Sequence, residues 1–274
     1  MIMEFVRPLS EDRAFDTGYP GYQAQILYFN EHATMIASYI HEGGCGPDLH
    51  YHHCDQIYFL TKGNMNVRLG DETHAIGPNT LVFIPAGTAH CNWNEGPGTE
   101  LHFEILAPTP VVGAPVAILV DSPSDIPPDR RAALDGFTIQ VEPDSLMEAK
   151  KGFRIQLLID GDNGSKNAAI MYAEVDPGGG GPGTHIHEFD QYYLVLEGTL
   201  TVEVALHTHR VEAPALAVLP AGVPHRQYND GTSTEKHLSI LVPPPVPDQP
   251  WDRGVEFTTT GEDLYGFTTG SLKR

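Results

Sequence analysis

Positive charge is scarce in this chain. Its 16 Lys and Arg stand against 36 Asp and Glu among 274 residues, a formal net charge of −20. With no Lys/Arg cluster to neutralise phosphates, nucleic acid and anionic membrane surfaces are excluded as expected partners. Cysteine is scarce too. Cys45, Cys54 and Cys91 are odd in number and form no C-x-x-C, which argues against a disulfide framework and fits reduced thiols. Long apolar runs are missing: the most apolar window, Val111 to Val120, is about half a membrane span and contains Pro115. The opening MIMEFVRPLSEDR lacks the basic-then-apolar order of a secretion signal, so the expected location is the cytoplasm. Extended helical periodicity is also absent. Short alternating runs, broken by a share of 28 Gly and 23 Pro, point instead to an all-β class, with length enough for two domains.

What the chain does have, it has twice. Gly46-Pro-Asp-Leu-His50-Tyr-His52-His-Cys-Asp-Gln56 recurs as Gly181-Pro-Gly-Thr-His185-Ile-His187-Glu-Phe-Asp-Gln191, 135 positions later. Gly63 and Gly198 follow at the same offset. Pro85-Ala-Gly87-Thr-Ala-His90 with Asn94 recurs as Pro220-Ala-Gly222-Val-Pro-His225 with Asn229, again at 135. An internal duplication follows. The expected domains are 1–110, a Pro-rich linker 111–136, and 137–274 with a polar tail.

Along the first copy, residues 1–20 read as an irregular arm. Strands are expected at Tyr22 to Phe29, Thr34 to Ile40, the His50–His52 stretch with Ile57 to Leu60, Met65 to Leu69, Leu81 to Ile84 and Leu101 to Leu106. The linker is expected to hold one short helix near Arg130 to Leu134. The second copy begins near Phe137 and repeats the plan through Phe153 to Ile159, Ala168 to Val175, Leu200 to Val204, Leu216 to Leu219 and Leu238 to Val242.

Three imidazoles and a carboxamide per copy form a metal-ligand set. Residues i and i+2 of a strand point the same way, so His50 and His52 aim at one point, Gln56 shares their parity, and a second strand delivers His90. Such a set leaves positions open for water or substrate. The two blocks resemble the two sequence motifs of the cupin superfamily, and their doubling resembles a bicupin. That resemblance implies two tandem double-stranded β-helix (jelly-roll) barrels. It implies metal ligands at His50, His52, Gln56 and His90, and at His185, His187, Gln191 and His225. It also implies up to two divalent ions per chain, Fe(II) or Mn(II) first, Ni(II) or Zn(II) next. The chain departs from the family where Gln56 and Gln191 replace the usual Glu. A carboxamide is neutral and accepts no proton, so the ion keeps its full charge, favours anionic chelating oxygens, and needs a base from elsewhere.

Candidates for that base are His102 and His237, each twelve residues after the third ligand; alternatively they face outward or fill the rim. Tyr58 and Tyr193 share the parity of the Gln and either donate a hydrogen bond to a bound molecule or pack as core aromatics. Asn94, Asn229, Trp93 and Tyr228 are expected to shape the loop after the third His. Asp55 and Asp190, of opposite parity, point outside. His74, His207 and His209 lie outside the ligand blocks and are expected to have no metal role. Cys54 and Cys91 either line a pocket or are plain buried thiols. By resemblance to quercetinase-like bicupins, the expected activity is a metal-dependent dioxygenase on a small enolic, phenolic or keto-acid substrate. The alternatives are a redox-neutral lyase or isomerase and a non-catalytic binding bicupin. The two halves are expected to pack about a pseudo-twofold axis, with a homodimer as a possible further assembly.

Overall fold

The computed structural model describes residues 5–247 and 249–256, so the polar tail beyond 256 lies outside the described residues. Each half is a jelly roll of two antiparallel sheets, one of seven strands and one of five, and neither pair closes into a barrel. In the first half the large sheet runs Phe137–Gln140, Thr80–Ile84, Asp55–Lys62, Glu100–Ala107, Thr34–Ile40, Tyr22–Phe29, Phe15–Asp16. The small sheet runs Ile118–Leu119, His50–Tyr51, His90–Trp93, Met65–Leu69, Glu72–Ile76. The second half repeats both.

The large sheets are buried on both faces, which is why their central strands read as continuous apolar runs rather than alternating ones. Residues 55–60 are buried without a break, as are 80–84 and 215–219. One face, carrying Tyr58, Leu60 and Val82, packs within its own half against Met65 and Val67. The other, carrying Phe59, Phe83 and Ile105, joins Tyr192, Val218 and Ile240 of the second half in a single core. The two halves therefore share their largest apolar cluster.

That shared face relocates Asp55 and Asp190. They do point away from the ligands, but they are buried between the halves instead of exposed. Asp55 accepts from Ala86 N (2.9 Å) and from Asn167 Nδ2 (2.7 Å); Asp190 accepts from Ala221 N (2.9 Å) and from Asn30 Nδ2 (2.6 Å). The reciprocity is the pseudo-twofold relation written in hydrogen bonds.

Within the expected arm, the described residues 5–20 are not irregular throughout. Val6–Pro8 pairs with Ala215–Leu219 of the second half, and Glu11–Arg13 forms a single 3-10 turn. In return, Phe137–Gln140 pairs with Thr80–Ile84 of the first half rather than opening the second sheet. Each large sheet is thus edged by a strand that precedes the other half. No helix forms at 130–134, where the chain makes turns; the linker's one helical turn is Pro123–Asp125, and its Ile118–Leu119 pairs with His50–Tyr51.

Glycines and asparagines of the repeat set the turns. Gly63 has φ +79°, and a Cβ there would sit 2.8 Å from the Glu100 Cα, so only glycine fits. Asn229 is buried and fully used: its Nδ2 donates to Val175 O (2.7 Å) and Ser233 O (2.8 Å), and its Oδ1 accepts from Gly231 N (2.8 Å). Asn94 makes the equivalent three bonds, so both shape the loop as expected. Asn229→Ala strands these backbone groups and is expected to cost about 2–4 kcal/mol, read as a lower urea midpoint at unchanged m-value.

Candidate metal centres

The ligands do not come from one strand. The chain leaves the small sheet after Tyr51, turns a corner through His52, and enters the large sheet at Asp55. His50 and His90 face each other as a cross-strand pair, ring centroids 4.2 Å apart, while Gln56 reaches across from the large sheet. His185, His225 and Gln191 repeat the arrangement. In each half the three imidazoles present nitrogens within 4.8 Å of one another, and all are buried.

Backbone carbonyls decide which nitrogen is free. Nδ1 of His50, His52 and His90 lies 2.8, 2.6 and 2.8 Å from the carbonyls of Asp48, Val116 and Thr88. Nδ1 of His185, His187 and His225 lies 2.8, 2.6 and 2.9 Å from those of Gly183, Phe189 and Val223. A carbonyl only accepts, so each Nδ1 carries a proton, and in the neutral ring each Nε2 keeps its lone pair. These lone pairs converge with the Gln oxygen. His52 Nε2 is 3.2 Å from His50 Nε2 and 3.1 Å from Gln56 Oε1; Gln191 Oε1 is 3.1 Å from both His187 Nε2 and His225 Nε2. Acceptors gathered around one point, with His90 Nε2 buried and unpartnered, fit a divalent cation.

Burial works against charging His50, His90, His187 and His225. Burial and the neighbouring His52 push His50 down to about 4; burial pushes His225 down to about 3 and holds His90 well below its ordinary value. Between pH 6.5 and 4 the unfolded chain therefore takes up protons that the folded sites refuse. The metal-free protein is expected to be fully stable in this respect above pH 6.5 and to lose stability as pH falls toward 4. A group depressed as far as His50 contributes on the order of 3 kcal/mol. Urea midpoints measured with chelator at stepped pH check this.

The two centres differ behind the Gln. Gln56 Nε2 donates to Glu104 Oε1 at 2.6 Å, and Glu104 Oε2 lies 3.2 Å from the Ser38 hydroxyl and 3.4 Å from that of Tyr22. A carboxylate offers only acceptors, so the amide must face it with nitrogen and the ligand cluster with oxygen. In the second half Ser239 stands at the repeat position, 2.8 Å from Gln191 Nε2. Glu104 was missed from sequence; its signal is its parity with His102 and the unequal residue at its repeat position. Cavities differ as well. The first centre opens into one of about 710 Å³, walled by Phe15, Tyr22, Ile26, Phe29 and Val112 and including Tyr58 and Glu104. The second has one of about 180 Å³, lined by Tyr193, His237, Ser239, Trp251 and Asp252.

Tyr58 and Tyr193 face these cavities, and burial raises both hydroxyls far above their ordinary value, so both remain donors. His102 and His237 pack against the tyrosines with their rings steeply inclined, centroids 4.7 Å from Tyr58 and 4.9 Å from Tyr193. Each is held by a buried carboxylate two residues back, Glu100 at 2.9 Å and Glu235 at 2.9 Å. Burial pushes His102 down, but Glu100 and Glu104 outweigh it and leave it raised. His237 reaches the second cavity wall, whereas His102 lies outside the lining of the first. Glu100 and Glu235 were also missed, although they obey the 135-residue spacing. Cys54 is a buried thiol raised to about 12 by burial, then Asp55 and Glu104, and neither it nor Cys91 lines the cavity. Among the described residues no helix is long and apolar enough to cross a membrane.

Comparison with known proteins places the geometry in a family. A glyoxylate-induced protein of Pseudomonas aeruginosa superposes with a TM-score of 0.68 at 17% identity, covering 95% of this chain and 94% of its own. The oxalate decarboxylase of Bacillus subtilis, a protein with Mn(II) centres, gives 0.67 at 16%, covering 93% and 80%. AerE from Microcystis aeruginosa gives 0.64 at 14%, covering 87% and 98%. At such identities the likeness is one of fold. An uncharacterised Streptomyces coelicolor protein is 27% identical over 82 residues, 30% of this chain and 73% of its own. The Cupin domain family matches residues 38–106 and 171–241, about half of the chain and both ligand sets, so the chain belongs to the cupin family as a bicupin with two His-rich metal-binding triads.

Proposed function

We propose that this chain is a metal-dependent dioxygenase whose first centre takes a small substrate with adjacent anionic oxygens, an enol, phenol or keto acid, on an apolar body. One observation carries the reading: a charge-neutral ligand set opens into an apolar cavity of about 710 Å³. The ligands leave a cation's charge for the substrate oxygens, and the cavity's Phe, Tyr, Ile and Val side chains accept the rest of the molecule. A divalent ion held by His50, His52, Gln56 and His90, Fe(II) or Mn(II) first and Ni(II) or Zn(II) next, supplies Lewis acidity and, where redox-capable, electron transfer to O2.

The protein's own groups do the rest. Gln56 presents its oxygen because Glu104 fixes the amide. Glu104, in the cavity wall, is the proton acceptor that Gln56 cannot be, and Tyr58 donates to a substrate oxygen. His102, paired with Glu100, positions Tyr58 from behind. Tyr193 and His237 hold the corresponding places at the second centre.

O2 uptake tests the proposal. Chains loaded with Fe(II), Mn(II) or Ni(II) are mixed anaerobically with enolic, phenolic and keto-acid candidates, then exposed to O2. Absence of uptake with every metal overturns it. A redox-neutral lyase is the second reading, favoured by a carboxylate already seated beside the ligand set, and by analogy to the decarboxylase of similar fold. Turnover without O2, and with Zn(II), selects it.

A further inference from the structure

We infer that Asp252 is the carboxylate of the second metal centre, carried over the ligand group by a C-terminal strap. The inference rests on the second triad binding metal, not on the reaction proposed above. The strap is built into the sheet: Arg253–Gly254 pairs antiparallel with His185–Ile186, with His185 opposite Gly254, and Val255 N donates to Thr184 O at 2.9 Å. This pairing sets Asp252 at the cavity wall, where its Oδ1 lies 3.6 Å from His185 Nε2.

With a neutral His185 that contact is unfavourable. His185 Nδ1 donates to Gly183 O, so the Nε2 aimed at Asp252 presents a lone pair to an anionic oxygen. Two acceptors at this separation repel unless a cation, a proton on His185 or a metal ion, relieves them, and the convergence of the three imidazoles favours the metal. Atoms bound about 2.0–2.2 Å from one ion at angles of 90–120° stand about 2.8–3.8 Å apart, which spans the observed distance. Asp252 lies outside the tight cluster of the three imidazoles, so its carboxylate swings inward from the mouth of the cavity to join as an added ligand beside His185.

The repeat shows that this feature belongs to one centre. In the first half Ile118–Leu119 pairs with His50–Tyr51 as Arg253–Gly254 pairs with His185–Ile186, so Ala117 occupies the place of Asp252 and Val116 that of Trp251. Both centres lack the carboxylate of the family pattern at Gln56 and Gln191. The second regains one unit of negative charge from the strap, and Trp251 narrows its cavity. The first keeps its carboxylate, Glu104, behind the Gln and its mouth open.

Mn(II) is the probe. His52→Ala disables the first centre in the full chain, leaving one site whose Mn(II) affinity is read from free-Mn(II) EPR and whose bound waters are read from proton relaxation. Adding Asp252→Ala, and separately Asp252→Asn, is expected to weaken binding 10–100-fold in both, and to raise the relaxation enhancement for Asp252→Ala as water replaces the carboxylate. Equal melting temperatures of the metal-free chains show that the fold is retained, and the Asn variant serves if the Ala variant fails to fold. Unchanged affinity in either variant overturns the inference. No Mn(II) bound to His52→Ala at all removes the second triad as a metal site, a failure separate from a silent Asp252.

Discussion

His52→Ala is expected to lower tightly bound divalent metal from two ions per chain to one, His187→Ala to do the same, and the double variant to bind none. Elemental analysis after gel filtration measures this. Each residue sits at the meeting point of its ligand group: His52 Nε2 touches both His50 Nε2 and Gln56 Oε1, and His187 Nε2 touches Gln191 Oε1. Without the corner imidazole, the remaining donors span the two sheets with nothing between them. The centres share no ligand, so the two losses should add. Stability follows occupancy: an ion at 100 times its dissociation constant contributes about 2.7 kcal/mol, so each single variant should lose roughly that increment on metal addition. The functional proposal sharpens the outcome. If the open first cavity holds the substrate, His52→Ala abolishes O2 uptake and His187→Ala retains most of it. The reverse pattern moves the activity to the strap-covered centre.

The two His triads were legible because few side chains bind transition metals, and duplication at a constant 135-residue offset picks out the histidines that cluster. Strand parity also survived the corner after His52, so the Gln56 oxygen lies 3.1 Å from His52 Nε2 even though it is on the other sheet. What was not legible is what depends on pairing between distant segments. Nothing local shows that Val6–Pro8 joins the second half or Phe137–Gln140 the first, because edge strands are recruited by a sheet formed elsewhere in the chain. Asp55 and Asp190 were misplaced for the same reason: parity gives a face of the sheet, and only the shared core makes that outer face an interior. The strap that brings Asp252 to His185 follows 66 residues of intervening chain, and its Ile118–Leu119 counterpart was hidden in a Pro-rich linker.

Glu104 carries the second large effect, and two substitutions divide its roles. Glu104→Leu removes the acceptor that orients the Gln56 amide, leaves its Nε2 without a partner in a buried place, and leaves the Tyr22 and Ser38 hydroxyls only each other, at 2.9 Å. Metal affinity at the first centre should fall 10–100-fold, as is usual when a ligand loses its orienting partner, while the second centre, anchored by Ser239, keeps its own. Glu104→Gln is nearly isosteric. Its amide oxygen can still accept from Gln56, and its NH2 can donate to the Tyr22 and Ser38 hydroxyls, which accept as readily as they donate. Metal at the first centre should therefore be retained within about tenfold, as the direct bond to Gln56 survives. Turnover should not be: with no carboxylate left to take the substrate proton, kcat is expected to drop about 10²–10⁴-fold with KM little changed. A Glu104→Gln variant with full metal and full turnover would leave Glu104 as an anchor alone and require the proton acceptor to be found elsewhere in the first cavity. Full metal with lost turnover separates chemistry from binding, which the ligand substitutions by themselves cannot do.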